Sequence, residues 1–397
     1  MIQLSERINA LSESQTILMS KLGRELAAKG VDVISLSLGE PDFSTPDFVK
    51  DAAKKAIDDN QSFYTPVAGY LELRKAIVQK LKKENELDYE PDQIVVSTGA
   101  KQSLSNAILC LVNPGEEVII PTPYWVSYSE MVKLAEGVAV YVDAGIENDF
   151  KITPQQLEAA ITPKTKVFMF SSPCNPTGSV YTAQELAALA AVFERNPHVY
   201  IISDEIYEYI NFGEKHTSIA SFSSIKDRVI VINGLSKGFA MTGWRLGYLA
   251  AHKSIAQACD KLQGQTTSGT CSITQRAAIA ACEAGIASVA YMKVAFQQRR
   301  DLVYKLLQEV KGFKTNLPQG AFYFFPDVST YFGKSYGDFS INNADDLCLY
   351  LLQEGHVTLV TGDAFGAPNA IRISYATSED KLTEAIRRIK AALAKLN

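Results

Sequence analysis

From about residue 93 to residue 250 the chain alternates short apolar runs with segments whose apolar positions recur every three to four residues. The runs predict strands at about 93–97, 117–120, 138–142, 166–170, 199–203, 229–233 and 247–250, and the periodic segments predict helices over 101–112, 126–136 and 183–194. Alternation of this kind argues for an α/β fold, a mostly parallel sheet covered on both faces by helices. After about residue 285 the texture changes to a long helical pattern through Glu309, strands near 321–326, 357–360 and 370–375, and a closing amphipathic helix from about Ser378. Thr377 and Ser378 are both possible N-caps of that helix, and Thr377 with Asp380 fits the looser, acidic form of a capping box. This stretch fits a smaller α+β domain.

Length and composition narrow the picture. At 397 residues the chain exceeds one typical domain core, so two domains are expected. Hydrophobic residues make up 47% and charged residues 21%, with no run of eighteen apolar residues and no basic-then-apolar leader, which predicts a soluble, cytoplasmic protein. A net charge of -5, with no run of Lys or Arg, offers no field for a phosphate backbone, so nucleic acid is not an expected partner. The six cysteines form no C-x-x-C pair and the four histidines are scattered singly, which points to neither a disulfide framework nor a metal site. Cys174 neighbours Asn175 but has no histidine near it in sequence to act as a base.

Candidate chemistry gathers where the strands end. The run Val229 to Ile232 leads into Asn233-Gly234-Leu235-Ser236-Lys237-Gly238, with Arg245 eight residues after the lysine: a reactive amine beside an anion site. Ser172-Pro173-Cys174-Asn175-Pro176-Thr177-Gly178 follows the run Val167 to Phe170, and Ser203-Asp204-Glu205-Ile206-Tyr207 follows Val199 to Ile202. In open α/β sheets, ligands bind at such strand ends. A carboxylate at Asp204 is either a helix cap or the partner of a buried cation.

Together these segments resemble the class I aminotransferases of fold-type I, which use pyridoxal 5'-phosphate. The resemblance runs from Gly39-Glu40-Pro41-Asp42-Phe43 to Arg372 and is to the bacterial-type aspartate aminotransferases. It implies that Lys237 is the Schiff-base lysine and proton carrier, that Asp204 faces the pyridine nitrogen, and that Asn175 and Tyr207 donate to the phenolic oxygen. For the phosphate it implies the helix start Gly99-Ala100-Lys101, Ser236 and Arg245, with Tyr64 reaching over from a second subunit of a homodimer. Trp125 is expected to stack on the ring, and Arg372, helped by the Gly39 backbone and Asn175, to hold the α-carboxylate as a bidentate fork. Lys101 is the candidate for a distal carboxylate, since a cation in a helix's first turn is unfavourable without an anion to meet, and Thr16 is a candidate helper.

By the same resemblance, residues 1–45 form an N-terminal arm and part of the small domain, 46–285 the large cofactor-binding domain and 286–397 the small C-terminal domain. The expected reaction is ping-pong transfer from L-aspartate to 2-oxoglutarate. Aromatic, alanine and prephenate aminotransferases and β-lyases share this core and stay open as alternatives. A cofactor-sensing regulator would need a basic DNA-binding module, and the sequence contains none.

Overall fold

A computed structural model describes residues 3–13 and 15–397, the side chains of 15 and 16 excepted. Its strands are β1 (Ile34–Ser35), β2 (Ile94–Ser97), β3 (Glu117–Thr122), β4 (Val138–Asp143), β5 (Thr165–Ser171), β6 (Tyr200–Asp204), β7 (Val229–Gly234), β8 (Gly247–Ala250), β9 (Tyr323–Phe324), β10 (Lys334–Tyr336), β11 (Phe339–Ile341), β12 (Val357–Thr358), β13 (Val360–Thr361) and β14 (Ile371–Ser374). Seven of them form one sheet in the order β2-β8-β7-β6-β5-β3-β4. β8 is antiparallel to both neighbours and the remaining pairs are parallel, so six strands point the same way.

Why these runs are almost uninterruptedly apolar follows from their position: both faces of the sheet are covered. Successive residues alternate between two cores, as the two-residue strand period requires. Val167, Met169, Ile202, Ile230 and Ile232 pack with Leu104, Ala107 and Ile108 of helix Ala100–Leu111 and Cys259 of helix Lys253–Thr266. Phe168, Phe170, Ile201, Val229 and Val231 pack the other way, with Leu186, Leu189 and Phe193 of helix Ala183–Arg195. Each such side chain contributes roughly 1.5–3 kcal/mol by leaving water. A one-residue slip in any strand would exchange its two faces.

The remaining strands form smaller sheets. β13-β14-β9 is an antiparallel three-stranded sheet, and β1 pairs in parallel with β12 through Ile34 and Val357, tying the N-terminal segment to the C-terminal part of the chain. The single strand expected near 357–360 is therefore two: β12 pairs with β1, and after Leu359 β13 pairs with β14. The strand expected over 321–326 shrinks to Tyr323–Phe324, with Ala321 at φ 55 breaking the extended backbone before it. Ser378, not Thr377, caps the last helix, Glu379–Leu393, by accepting from the Lys381 N–H at 3.4 Å. Among the described residues no single helix is long and apolar enough to cross a membrane.

Candidate active site

β2, β3, β5, β6 and β7 all end at one edge of the large sheet, and β8 begins there. Their loops surround a cavity of ≈ 320 Å³. The parallel direction of the strands is what brings Ala100, Trp125, Asn175, Asp204, Ser236, Lys237 and Arg245 together from positions far apart in sequence. Gly39, Lys101, Tyr207 and Arg372 join them in the cavity wall.

Lys237 follows β7 by three residues. Its Nζ donates to the Gly39 carbonyl and lies 5.7 Å from the centre of the Tyr207 ring. Burial, then the positive charges of Arg372 and Arg245, push its pKa down to about 8, so the neutral, nucleophilic amine is accessible near physiological pH. Asp204, the last residue of β6, accepts from the Tyr128 hydroxyl at 2.8 Å and from the Ile206 N–H at 3.3 Å. Burial nevertheless raises its carboxyl to about 6. Two donors do not replace the lost water; a buried cation would.

Arg372 presents the complementary problem. Only 2% exposed, it donates from Nη1 to Asn175 Oδ1 at 3.0 Å and from Nη2 to the Ser37 carbonyl at 2.7 Å, while Nε has no partner among the described residues. Its guanidinium lies 4.6 Å from the Tyr323 ring centre and 5.0 Å from that of Phe365, and among the described residues it pairs with no carboxylate. A buried, unpaired guanidinium is costly, and an entering carboxylate relieves that cost. Tyr207 meets Tyr323 hydroxyl to hydroxyl at 2.7 Å.

An anion cradle is built where β2 turns into helix Ala100–Leu111. Gly99 stands at the N-cap with φ 86, no side chain caps this terminus, and a methyl at Gly99 would sit 2.3 Å from Arg245 Nη2. The glycine thus leaves the helix N–H groups and the guanidinium exposed to one space, and both favour an anion. Arg245 is aimed there by donating from Nη1 to the Thr242 carbonyl at 2.8 Å. Trp125 packs edge-on to Tyr128 at 5.6 Å, and Lys101 Nζ lies 4.9 Å from a Trp125 ring centre. Burial and then Arg245 lower the Lys101 pKa.

Three expected residues are not in this wall: Gly99, which stands next to it at the helix N-cap, Tyr64 and Thr16. Tyr64 is 98% exposed and contacts the cavity from no direction within one chain. The Thr16 side chain lies outside the described residues, although its neighbour Ile17 lines the cavity. Sequence reasoning missed Tyr128 and Tyr323. Tyr128 carried a faint signal, lying three residues after Trp125 at a helix start, so that both face the same way. Tyr323 carried none, because only the β9–β14 pairing brings it to Arg372.

A second ionisable group lies behind the site, where Glu205, Glu208 and His216 approach one another within 4.8 Å. Lys80 and Asn85 donate to Glu208, Ser203 and Ser218 to Glu205, and His216 Nε2 lies 3.0 Å from Glu205. With its carboxylates so occupied, it reads as an ionic strut under the 205–216 segment that follows Asp204.

The cavity thus offers an amine of lowered pKa, a buried carboxylate lacking a cation, an anion cradle and a buried guanidinium. That donor set fits pyridoxal 5'-phosphate with an amino acid beside it. The chain belongs to the aminotransferase class I and II family, whose model matches residues 31–389. Among its relatives, the aspartate/prephenate aminotransferase of Cereibacter sphaeroides is 49% identical over 99% of each chain. In structure it resembles the aspartate aminotransferase of Rhizobium meliloti (TM-score 0.96, 41% identity, 100% of both chains). It also resembles the aspartate aminotransferase of Thermus thermophilus solved with maleate (TM-score 0.92, 38% identity, 99% of this chain and 100% of that one).

Proposed function

We propose that the protein is a pyridoxal-phosphate-dependent aspartate aminotransferase that moves an amino group from L-aspartate to 2-oxoglutarate in two half-reactions at one site. The reading rests on one arrangement: the half-buried Lys237 and the buried Asp204 and Arg372 face the same cavity, and neither Asp204 nor Arg372 has a charged partner of its own among the described residues. The relatives' names carry the aspartate assignment.

When bound, pyridoxal phosphate supplies an aldehyde for the amino group and an electron-withdrawing ring for the charge that develops at Cα. Asp204 would hold the proton on the ring nitrogen, Asn175 and Tyr207 would donate to the phenolic oxygen, and Trp125 would cover a ring face. The backbone of Gly99, Ala100 and Lys101, with the side chains of Ser236 and Arg245, would hold the phosphate, joined by Tyr64 of a second copy in a cytoplasmic homodimer. Arg372 and the Gly39 backbone would fix the α-carboxylate, which turns Cα toward Lys237. Lys237 then takes the Cα proton as a base and delivers it as an acid, a role that its lowered pKa suits. Lys101, with no anionic partner among the described residues, would take the distal carboxylate. The division into 1–45, 46–285 and 286–397 is proposed with it, supported by the Ile34–Val357 pairing.

The test is a donor and acceptor panel on the cofactor-loaded protein. Oxaloacetate is expected from aspartate with 2-oxoglutarate, with tyrosine, phenylalanine and alanine slower as donors. Prephenate belongs in the acceptor panel, since the Cereibacter relative carries both names. No amino transfer from any donor would sink the reading.

A further inference from the structure

We propose that Tyr323 is a positioning residue for amino transfer: its hydroxyl donates to the Tyr207 hydroxyl and so leaves the Tyr207 proton directed into the cavity. The inference rests on the reading above, in which the phenolic oxygen of the cofactor accepts that proton.

The two hydroxyls are 2.7 Å apart, and each is the other's only hydrogen-bond partner among the described residues. Two protons therefore share one contact, and only one of them can occupy it. The surroundings decide which. Behind the Tyr323 oxygen stands Gly39, so close that a methyl there would sit 2.6 Å from the hydroxyl, and among the described residues Tyr207 is its hydrogen-bond partner. A cation faces each ring, but the Arg372 guanidinium, 4.6 Å from the Tyr323 ring centre, is closer than Lys237 Nζ, 5.7 Å from that of Tyr207, so the Tyr323 hydroxyl is the better donor of the pair.

Ring packing holds the geometry. Phe322 meets Tyr207 edge-on at 5.4 Å, and the Tyr207 and Tyr323 rings are themselves edge-on at 5.9 Å. Tyr323 also sits opposite Ser374 on β14, the strand that carries Arg372. One side chain thus touches the guanidinium with its ring face and the cofactor-side donor with its hydroxyl. Donation from Tyr323 polarises the Tyr207 O–H and strengthens the bond that Tyr207 makes onward.

Tyr323→Phe removes the hydroxyl and keeps the ring beneath Arg372. A hydrogen bond to the phenolic oxygen favours its ionised form, so weakening that bond raises the pH at which the visible absorbance of the cofactor-loaded protein titrates. The expected rise in Tyr323→Phe is about 0.3–1 pH unit, the scale of one neutral hydrogen bond. Tyr207→Phe is expected to raise the midpoint too, and adding Tyr323→Phe to it to change nothing more. Gly39→Ala, which keeps both tyrosines and presses on the Tyr323 hydroxyl, is expected to shift the midpoint in the same direction when Tyr207 is present and not in Tyr207→Phe, which separates it from any effect through the Lys237–Gly39 contact, and it covers the case in which Tyr323→Phe does not fold. An unchanged midpoint in a folded Tyr323→Phe, or an equal shift with and without Tyr207, would overturn the inference. A wild-type protein with no pH-dependent visible band, or one whose titration midpoint is unchanged in Lys237→Ala, would instead overturn the aminotransferase reading and this inference with it.

Discussion

Lys237 holds its proton less tightly than a solvated lysine because its ammonium loses water in the cavity wall and faces two guanidinium groups. That has a sign in stability as well as in chemistry. The folded, ligand-free protein binds fewer protons at this site than the unfolded chain between about pH 8 and the ordinary lysine value of 10.5. Stability therefore gains from Lys237 as pH rises through that window, by on the order of 3 kcal/mol at the limit. Urea melts of ligand-free wild type and Lys237→Met at pH 7.5 and 10.5 should show the gain in wild type only, and Lys237→Met should also lack turnover. Equal slopes would remove the buried-ammonium account. Lys101 is tested by substrate choice. A charge-assisted contact to a carboxylate contributes roughly 1.5–3 kcal/mol, about ten- to a hundredfold. Lys101→Ala should cut kcat/KM for aspartate and glutamate by that factor and barely change tyrosine or phenylalanine, which have no distal anion. A uniform fall would assign Lys101 to the phosphate or the fold.

Strand ends were the most legible elements, because a parallel sheet buried on both faces writes itself as Val- and Ile-rich runs and places its polar residues where the runs stop. Lys237, Asp204 and Asn175 were readable for that reason. Helices Asp47–Asp58, Leu71–Asn85, Lys253–Thr266 and Ser272–Ala284 were not singled out. The split of β12 from β13 was invisible too, since it depends on which partner each half finds, Ile34 far upstream for Val357 or Arg372 just downstream for Val360. Local chemistry left the last helix start ambiguous, and packing of helix Glu379–Leu393 through Leu382, Ala385, Ile386 and Ile389 chose Ser378 as its cap. Ser378→Ala should cost about 1 kcal/mol in urea unfolding, while Thr377→Ala should be near neutral. The reverse order would show that the cap lies one residue earlier.

At the scale of the whole molecule, one chain carries nearly all of the proposed amino-transfer site, but its expected tyrosine is exposed to solvent. Tyr64 at 98% and Phe63 at 81% exposure are large aromatic surfaces for a lone chain to leave wet. Exposed aromatics together in one loop suit a surface that a second copy covers. If that copy's cavity receives Tyr64, each site is built by two chains, and damage to the two contributions can be separated. Tyr64→Phe should weaken cofactor retention without altering Lys237, and Lys237→Ala should abolish turnover while cofactor still binds. Unfolding and refolding the two variants together produces heterodimers. In each, one site has the intact lysine of the Tyr64→Phe chain and the intact tyrosine of the Lys237→Ala chain, while the other site bears both lesions. Activity at limiting cofactor should therefore rise above the sum of the separately treated variants. Subunit exchange is checked independently by tagging one variant and recovering the other with it. Exchange without recovered activity would place Tyr64 outside the partner's site and leave the phosphate to Ser236, Arg245 and the start of helix Ala100–Leu111.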